Sequence, residues 1–395
     1  MAGSKGKVCL AYSGGLDTST ILAWLLEQQY EVVSVFTRLV ATEPRADCLQ
    51  AATWPMLVRR KTGLRSRRRN AVYEDQYLLG TSLARPVIAR GMMKAAEKEG
   101  CDFVSHGCTG KGNDQVRFEL AYLTINPAIK VIAPWRDPLF YQRFQGRNDL
   151  LDYAAEKGIP VTSTRAKPYS MDDNLAHCSY EAGMLEDPNV TPPEDMWTRT
   201  VSPLKAPDAP LDITVHFDKG LPVKVVTPQQ TATDSLELFT LLNALGKEHG
   251  VGRIDIVENR FIGLKSRGCY DSPAMTILRL AHISIEGLVL DGRVRSLRDN
   301  LSKQWSELLY NGLYFSPERA FLQLSQVNGE VRLRLYKGNA YVLGRTSQEK
   351  LYSEEDASMD SLTTFDPSET SGFITINAIR LKKYGLQMAE AGVEL

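Results

Sequence analysis

Paired cysteines are missing from this sequence. None of its six cysteines forms a CxxC pair, and most lie in apolar surroundings; they are Cys9, Cys48, Cys101, Cys108, Cys178 and Cys269. Disulfide frameworks and structural zinc sites use regularly spaced or paired cysteines. We therefore expect reduced, packed thiols of a cytosolic protein, and neither a disulfide framework nor a zinc site.

Long apolar runs and an excess of one charge are missing too. No stretch approaches the roughly 18 apolar residues of a membrane span, and residues 1–7 lack the apolar core of a signal peptide. Lys+Arg and Asp+Glu each total 47, so a chain-wide field for nucleic acid is not expected, although a local basic patch is possible. The 395 residues exceed the usual size of one core. We expect a soluble, cytoplasmic protein of two domains.

A glycine-rich turn near the N-terminus is the most informative segment that is present. The string LAYSGGLDTS (10–19) follows a short apolar run and precedes the helix-like ILAWLL (21–26). A strand, a glycine turn and a hydroxyl-rich helix start can bind phosphate, because the first helix amides are unpaired and carry partial positive charge. The turn is not a Walker loop, since no Gly-Lys-Ser/Thr follows. The alternative is a plain turn in which Asp17 caps the helix.

The rest of the N-terminal third alternates strand-like and helix-like segments. Predicted strands cover residues 32–36, 101–104 and 130–134, and predicted helices cover 92–99, 113–123 and 150–157. This alternation predicts an α/β fold with a parallel sheet. In such sheets ligands bind beyond the carboxyl ends of the strands, where the glycine turn falls.

The second half of the chain predicts a mixed α+β domain. After an irregular, proline-rich stretch at 161–210, we predict strands at 211–217, 222–226, 331–336 and 339–343 and a helix at 235–245. The last segment spaces Ala378, Leu381, Tyr384 and Met388 three or four residues apart, which places them on one face of a helix. We expect this C-terminal helical arm to fold back or to dock on a partner.

A second glycine-rich segment, SHGCTGKGNDQVRF (105–118), also follows a predicted strand and opens a predicted helix. Its three glycines allow close backbone approach, and its polar side chains supply donors and acceptors; they are Thr109, Lys111, Asn113, Asp114 and Arg117. The segment favours binding of polar small molecules beside a triphosphate. A merely solvated turn would leave the glycines unexplained.

Residues 37–70 break this organisation. They carry eight arginines and one lysine against two acids, with a dense basic run at 59–69 and no apolar period. The run could bind RNA or another polyanion. The composition favours the alternative of a solvated or disordered loop.

Several long strings together resemble argininosuccinate synthase, a family of the ATP pyrophosphatase superfamily. In the family's order, the strings are AYSGGLDTS, YLLGTSLARP, SHGCTGKGNDQVRFE, APWRDP, GRNDLLDYA, SMDDNL (170–175) with HCSYEAG, and GVGRIDIVENRFIGLKSRG. The resemblance covers the chain except residues 37–70. It implies an ATP-binding domain at 1–161, a synthetase and multimerisation domain at 162–362, and an oligomerisation arm at 363–395 in a homotetramer.

The resemblance also implies an activity and its residues. The family joins citrulline to aspartate through a citrullyl-AMP intermediate, uses ATP with Mg²⁺, and forms no covalent enzyme intermediate. The implied ATP contacts are Ala11, Tyr12, Ser13, Gly14, Gly15, Leu16, Asp17, Thr18, Ser19, Thr37 and Gly107. The implied citrulline contacts are Tyr77, Ser82, Asn113, Arg117, Ser170, Ser179, Glu258 and Tyr270. The implied aspartate contacts are Thr81, Thr109, Asn113 and Asp114.

Residues 37–70 depart from the family abruptly. After Phe36 the family has a short Gly-Gln turn against the adenosine. In this chain the string TRLVA (37–41) stands in place of that turn, and the likeness to the family does not resume until Asn70. The likeness to the family stops and resumes abruptly, and this pattern predicts a reading-frame slip or a misplaced exon boundary in the gene model. We expect residues 38–69 to be disordered or loosely helical and the sheet to be one strand short.

Three other functions stay open at this point. The first is an inactive or regulatory paralogue that binds ATP poorly because of residues 37–70. The second is a non-catalytic RNA or polyanion binder that uses the basic run at 59–69. The third is a related ATP pyrophosphatase acting on tRNA or a nucleotide, which the absence of sulfur-transfer CxxC cysteines disfavours.

Overall fold

The computed structural model describes most of the chain: residues 4–36, 70–109, 112–160, 169–321 and 327–354, together with residues 378, 382, 386, 387, 389 and 390. Its contacts divide it into two compact units, residues 1–349 and 350–395, and each is described on its own. The segment 37–69 lies outside the described residues, so the predictions made for it stay predictions. The domain boundaries predicted at 161/162 and 362/363 also stay predictions.

A parallel sheet forms the N-terminal part of the first unit, as predicted. Its described strands lie in the order β2-β1-β3-β4, and they are β1 (Lys7–Tyr12), β2 (Glu31–Phe36), β3 (Phe103–Ser105) and β4 (Lys130–Ile132). Each neighbouring pair is parallel. The carboxyl ends of the strands therefore meet at one edge, where α/β sheets bind ligands.

Helices cover both faces of this sheet. They are α1 (Leu16–Glu27), α2 (Gly80–Glu99), α3 (Asn113–Ile125), α4 (Pro138–Tyr141) and α5 (Arg147–Glu156), and a 3₁₀ turn spans Pro134–Arg136. Side chains alternate between the faces of a strand. Val8 and Leu10 of β1 accordingly pack with α1 and α5, while the Cys9 thiol lies 3.7 Å from the Met92 carbonyl of α2 on the other face.

A second, antiparallel sheet has the strand order β10-β11-β6-β5. Its strands are β5 (Ser170–Asp173), β6 (Cys178–Glu181), β10 (Arg253–Asn259) and β11 (Lys265–Asp271). The irregular conformation predicted for 161–210 is therefore wrong at β5 and β6. These strands are four residues long and read SMDD and CSYE, so they carry no alternation of apolar and polar residues that the sequence could reveal.

A third sheet, also antiparallel, has the order β13-β12-β7-β8-β9. Its strands are β7 (Leu211–Asp218), β8 (Leu221–Val226), β9 (Thr231–Ala232), β12 (Gly329–Tyr336) and β13 (Asn339–Thr346). Ile213, Val215 and Phe217 are buried at alternate positions of β7. The period-two pattern that predicted these strands is thus the pattern of one buried face, and the mixed second domain is confirmed.

Four further α-helices lie in the described part of the first unit. They are α6 (Ser235–Glu248), α7 (Pro273–Val289), α8 (Gly292–Tyr310) and α9 (Pro317–Phe321). The side chain of Asp234 accepts hydrogen bonds from the first amides of α6, and Asp291 does the same for α8, which satisfies donors that a helix start leaves unpaired. The sequence reasoning identified α6 but not α7 or α8.

In the second unit, the described residues between 378 and 390 are helical. Ala378 is among them, in agreement with the predicted C-terminal helix, whereas Leu381, Tyr384 and Met388 lie outside the described residues. Among the helices that the structure describes, none has the length and apolar character needed to cross a bilayer.

Candidate active site

The glycine turn after β1 has the geometry of a phosphate-binding loop. Gly14 has φ +78°, a conformation that glycine adopts without strain. Gly15 is the N-cap of α1, and no side chain of the described residues caps this helix start. The hydroxyls of Ser13 and Thr18 lie 3.1 Å apart across the turn. The first amides of α1 thus face the carboxyl edge of the sheet, where they can bind an anion.

Asp17 does not cap α1, so the plain-turn interpretation is wrong on this point. Its Oδ1 accepts a hydrogen bond from the indole Nε1 of Trp135 at 3.2 Å. Burial raises the pKa of Asp17, and the bond from Trp135 opposes that shift. The 3₁₀ turn after β4 therefore fixes a carboxylate inside the loop.

The second glycine-rich segment lies directly against the first. A Cβ built on Gly107 would be 2.7 Å from the Thr18 methyl group, so only glycine allows the two loops to approach this closely. His106 anchors the second loop: its Nδ1 accepts from the Cys108 amide at 3.3 Å, and its Nε2 lies 3.2 Å from Glu119. The two glycine-rich loops that the sequence predicted near a triphosphate therefore line the same site.

Aromatic and hydroxyl side chains from α2 and the second sheet form the neighbouring part of the site. Tyr270 of β11 is the register partner of Ser179 of β6. The rings of Tyr77 and Tyr270 lie 4.4 Å apart, and the Tyr77 hydroxyl accepts from the Thr81 amide at 3.1 Å. Four residues predicted to bind the amino-acid substrates thus lie in one cluster, although they span almost 200 residues of sequence: Tyr77, Thr81, Ser179 and Tyr270.

Charged side chains link α2, α3 and β5 at this cluster. Arg85 contacts both Asp114 (2.6 Å) and Asp172, and Arg117 contacts Asp114 at 2.9 Å. Burial alone would raise the pKa of Asp114, but the two guanidinium groups outweigh burial and lower this pKa to about 2. Asp114 is therefore ionised throughout the physiological range.

Tyr310, at the end of α8, joins the remaining predicted residues. Its hydroxyl donates to Glu258 Oε1 at 2.6 Å, and its carbonyl accepts from Arg117 Nε at 2.9 Å. Burial raises the pKa of Glu258, against the hydrogen bond from Tyr310. The site thus holds one carboxylate with a lowered pKa and another with a raised pKa.

The structure brings most of the predicted residues together, with some exceptions. Ala11 and Tyr12 end β1, Leu16 is buried in the core, and the hydroxyls of Tyr12 and Ser19 lie 3.0 Å apart. The remaining predicted residues are at the margins: Ser82 is fully buried, Ser170 starts β5 in an exposed position, and Thr109 is exposed at the end of the second loop. Asn113 begins α3, and its side-chain oxygen accepts from the Phe261 amide at 3.0 Å. Thr37 lies outside the described residues.

Five residues of the site received no role from the sequence. Arg85, Trp135, Asp172 and His177 stood inside or beside strings that resemble the family, so the signal for them was present but carried no assignment. Tyr310 stood in none of those strings. It enters the site only because α8 ends beside Glu258, which is a matter of tertiary packing.

The donors of the site fit a magnesium ion that arrives with a nucleotide better than a resident metal. Among the described residues, no group of three His, Cys, Asp or Glu side chains could hold a metal ion. Mg²⁺ is commonly held by one or two carboxylates plus substrate phosphates and water. Asp17 is the carboxylate that lies in the phosphate-binding loop.

Two family models match the chain. The arginosuccinate synthase N-terminal HUP domain matches residues 7–54 and 58–160, and the arginosuccinate synthase C-terminal domain matches residues 169–384. The first match therefore spans the segment 37–70 except residues 55–57, so the family likeness extends across a segment in which the sequence analysis found none.

Similar proteins cover the chain almost completely. An argininosuccinate synthase of Saccharomyces cerevisiae is 54% identical over 427 residues, with 99% of each chain covered. The human argininosuccinate synthase is 48% identical, with 96% of this chain and 97% of the relative covered. That of Thermotoga maritima is also 48% identical, with 97% and 98% covered.

The parallel sheet, its two glycine loops and the second-domain strands define an ATP-binding protein of the HUP class whose site is completed by a second domain. These matches identify it further. The chain belongs to the argininosuccinate synthase family.

Proposed function

We propose that this chain uses ATP to join citrulline and aspartate, giving argininosuccinate, AMP and pyrophosphate. The observation that carries the proposal is the contact of Gly107 with Thr18. It places α3, which bears Asn113, Asp114 and Arg117, immediately beside the phosphate-binding loop. One site can therefore hold a triphosphate and two amino acids at once.

The reaction has two steps. The ureido oxygen of citrulline forms a bond to the α-phosphorus of ATP, and the bond to the β-phosphate bridging oxygen breaks to release pyrophosphate. The amine of aspartate then bonds to the ureido carbon, loses a proton, and AMP leaves with the ureido oxygen. Such chemistry needs positioning and charge stabilisation and no nucleophilic side chain.

The chain's residues have separate roles in this scheme. The amides and hydroxyls of 11–19, with Gly107, bind the phosphates. Citrulline contacts Tyr77, Ser82, Asn113, Arg117, Ser170, Ser179, Glu258 and Tyr270, and aspartate contacts Thr81, Thr109, Asn113 and Asp114. Because Asp114 is ionised, it can accept a hydrogen bond from an ammonium group.

The wider setting is part of the same proposal. Asp17 would hold the Mg²⁺ that accompanies ATP, and this ion would neutralise phosphate charge. The protein acts in arginine biosynthesis, in the cytoplasm, as a homotetramer in which the arm 363–395 contacts neighbouring subunits. The matched families give no support to the impaired or polyanion-binding alternatives.

Product stoichiometry tests the proposal. Protein incubated with citrulline, aspartate, ATP and Mg²⁺ should form AMP, pyrophosphate and argininosuccinate in equal amounts, measured by chromatography. Arg117→Ala, which removes a cation from the site, is the inactive control. Arg334→Ala is its matched control, because Arg334 forms an exposed pair with Asp212 on the third sheet. Release of ADP and phosphate would contradict the proposal.

A further inference from the structure

His177 lies between the residues assigned to the two amino-acid substrates. Its Nε2 is 2.8 Å from the Thr81 hydroxyl. Its ring stacks on that of Tyr270, with centroids 5.4 Å apart and planes 10° apart. The imidazole is 1% exposed, so it contacts Thr81 and Tyr270 from inside the protein and does not face solvent.

The start of α2 is shaped around this ring. A Cβ built on Gly80 would lie 2.5 Å from His177 Cδ2, so the absence of a side chain at Gly80 makes the space for the imidazole. From the other side, the Asn174 side chain accepts hydrogen bonds from the backbone amides of Ala176 and His177. The ring is therefore held in one position relative to Thr81.

The imidazole is neutral. Burial and, after it, the positive charges of Arg85 and Arg199 together lower the pKa of His177 to about 3, against the opposing effect of Asp114. A neutral imidazole has one N–H donor and one acceptor nitrogen. Nδ1 is buried and has no hydrogen-bond partner within the described ranges. A buried N–H without a partner is rarer in proteins than an under-used acceptor, so the proton belongs on Nε2.

This tautomer fixes the direction of the hydrogen bond. The Nε2–H donates to Thr81 Oγ1, which leaves the Thr81 hydroxyl proton for a second acceptor. Within the described residues the Tyr77 hydroxyl, which has a side-chain hydrogen bond with Thr81, is such an acceptor, and the carboxylate of a bound substrate competes with it. A hydroxyl whose oxygen already accepts one bond is a good donor to a carboxylate. A protonated Nδ1 would reverse the bond and leave Thr81 only able to accept.

We propose that His177 is a positioning residue for the aspartate half of the reaction: it orients the Thr81 hydroxyl so that this group donates to a carboxylate of bound aspartate. The inference rests on the proposed function, which assigns Thr81 to aspartate. It adds that aspartate binding depends on a residue that does not touch aspartate, and that the ATP-and-citrulline half-reaction does not need this hydrogen bond.

A matched pair of variants separates the hydrogen bond from packing. His177→Gln places an amide N–H near the position of Nε2, whereas His177→Met has a similar shape and no donor. Both variants lose the stacking on Tyr270, so this loss does not contribute to the difference in aspartate KM between them. A hydrogen bond to a charged group is stronger than one between neutral groups. We therefore expect the aspartate KM of the Met variant to exceed that of the Gln variant by roughly tenfold or more.

The first half-reaction is the internal reference. Citrulline-dependent exchange between ATP and labelled pyrophosphate, without aspartate, should differ by less than about twofold between the two variants, as should the citrulline KM. The same proposal predicts that Thr81→Val raises the aspartate KM while Thr81→Ser does not. The effects of His177→Met and Thr81→Val should not add, because both remove one interaction.

Several results would overturn the inference. Equal aspartate KM values for the Gln and Met variants would do so, as would additive effects of His177→Met and Thr81→Val. Should both His177 variants fail to fold, the Thr81→Ser and Thr81→Val pair decides, and equal aspartate KM values there contradict it. Failure of the proposed function is visible separately, because the unmodified protein would then form no AMP and pyrophosphate.

Discussion

Single carboxylates in this protein differ because their surroundings differ. Asp114 is held between two guanidinium groups, which lower its pKa to about 2. Asp271, the last residue of β11, is fully buried and receives the Arg199 amide at 2.7 Å. Burial raises the pKa of Asp271 from 3.8 to about 6, because the hydrogen bonds from the Arg199 amide and the Thr200 side chain compensate poorly for the loss of water.

Asp271 should therefore make stability depend on pH. Its folded-state pKa lies above its unfolded value, so its contribution is fully present below pH ~4 and is lost as the pH rises through ~6. Asp271→Asn keeps the acceptor for Arg199 and removes the charge. We expect the variant to gain on the order of 2–3 kcal/mol in free energy of unfolding at pH 7.5 relative to wild type, and much less at pH 4.

Urea unfolding at the two pH values measures this gain. Asp218→Asn, at the exposed end of β7, is the control for the loss of a negative charge, and it should follow the wild-type pH dependence. A gain for Asp271→Asn that is the same at both pH values would show that its carboxyl titrates normally in the folded protein.

At the residue scale, the sequence predicted the loops better than the contacts. Gly14 and Gly15 were predicted at a phosphate site because a glycine turn between a strand and a helix start is a local signal, and the family resemblance added Gly107. Tyr310 and Arg85 could not be assigned, since their partners lie far away in sequence: Glu258 is 52 residues from Tyr310, and Asp172 is 87 from Arg85. Such contacts depend on how whole elements pack.

At the scale of elements, the first turn of α2 shows a choice between helix propensity and packing. Alanine favours a helix over glycine by roughly 1 kcal/mol, yet Gly80 begins α2. A Cβ there would overlap the His177 ring, which Thr81 and Tyr270 hold in place. Forcing extra atoms into a packed site costs about 1–3 kcal/mol, so packing outweighs propensity.

Gly80→Ala should accordingly lower the free energy of unfolding by about 1–3 kcal/mol, measured by urea denaturation. Gly146→Ala is the matched control, because Gly146 also stands at a helix start and no described atom lies within 4 Å of a Cβ built on it. Its cost should stay below about 1 kcal/mol. In a His177→Ala background the cost of Gly80→Ala should disappear. A cost that is the same in both backgrounds would mean that the clash with His177 is not its cause.

The strands of the third sheet were predicted, whereas the four-residue strands β5 and β6 and the long helices α7 and α8 were not. The strands of the third sheet alternate buried and exposed residues, so period two revealed β7 and β12. The strands β5 and β6 have four residues each and lie in a proline-rich stretch, where local signals favour irregular chain. They form because β11 pairs with β6, and that pairing is fixed only in the folded protein.

At the scale of the whole molecule, the segment after β2 bears on the ATP site. β2 is the outer strand of the described parallel sheet, and its last residue, Phe36, is the register partner of Tyr12. The last described residue before the segment 37–69 therefore lies beside the strand end that leads into the phosphate-binding loop. A change in the sequence of residues 37–69 should consequently affect the binding of ATP more than the binding of citrulline.

We predict that residues 59–69 do not supply a buried strand of this sheet. Their charges are nearly consecutive, so both faces of a strand would present guanidinium groups to the interior, at a cost of several kcal/mol for each unpaired ion. We predict that replacing residues 37–69 by the corresponding segment of the Saccharomyces cerevisiae relative lowers the ATP KM at least ~10-fold, a gain of ~1.4 kcal/mol. The citrulline KM should change by less than about twofold.

Limited trypsin digestion gives the second measurement. The present chain should be cut first within 38–69, and the chimera should resist cleavage there. A control chain with every Lys and Arg of 38–69 changed to Gln should also resist trypsin but should keep the ATP KM of the present chain, because it loses the cleavage sites without regaining the family's turn against the adenosine. Full activity of the present chain, combined with resistance to trypsin within 38–69, would instead show that this segment is a genuine structural variant of the family. The hypothesis of a misplaced exon boundary would then have to be abandoned.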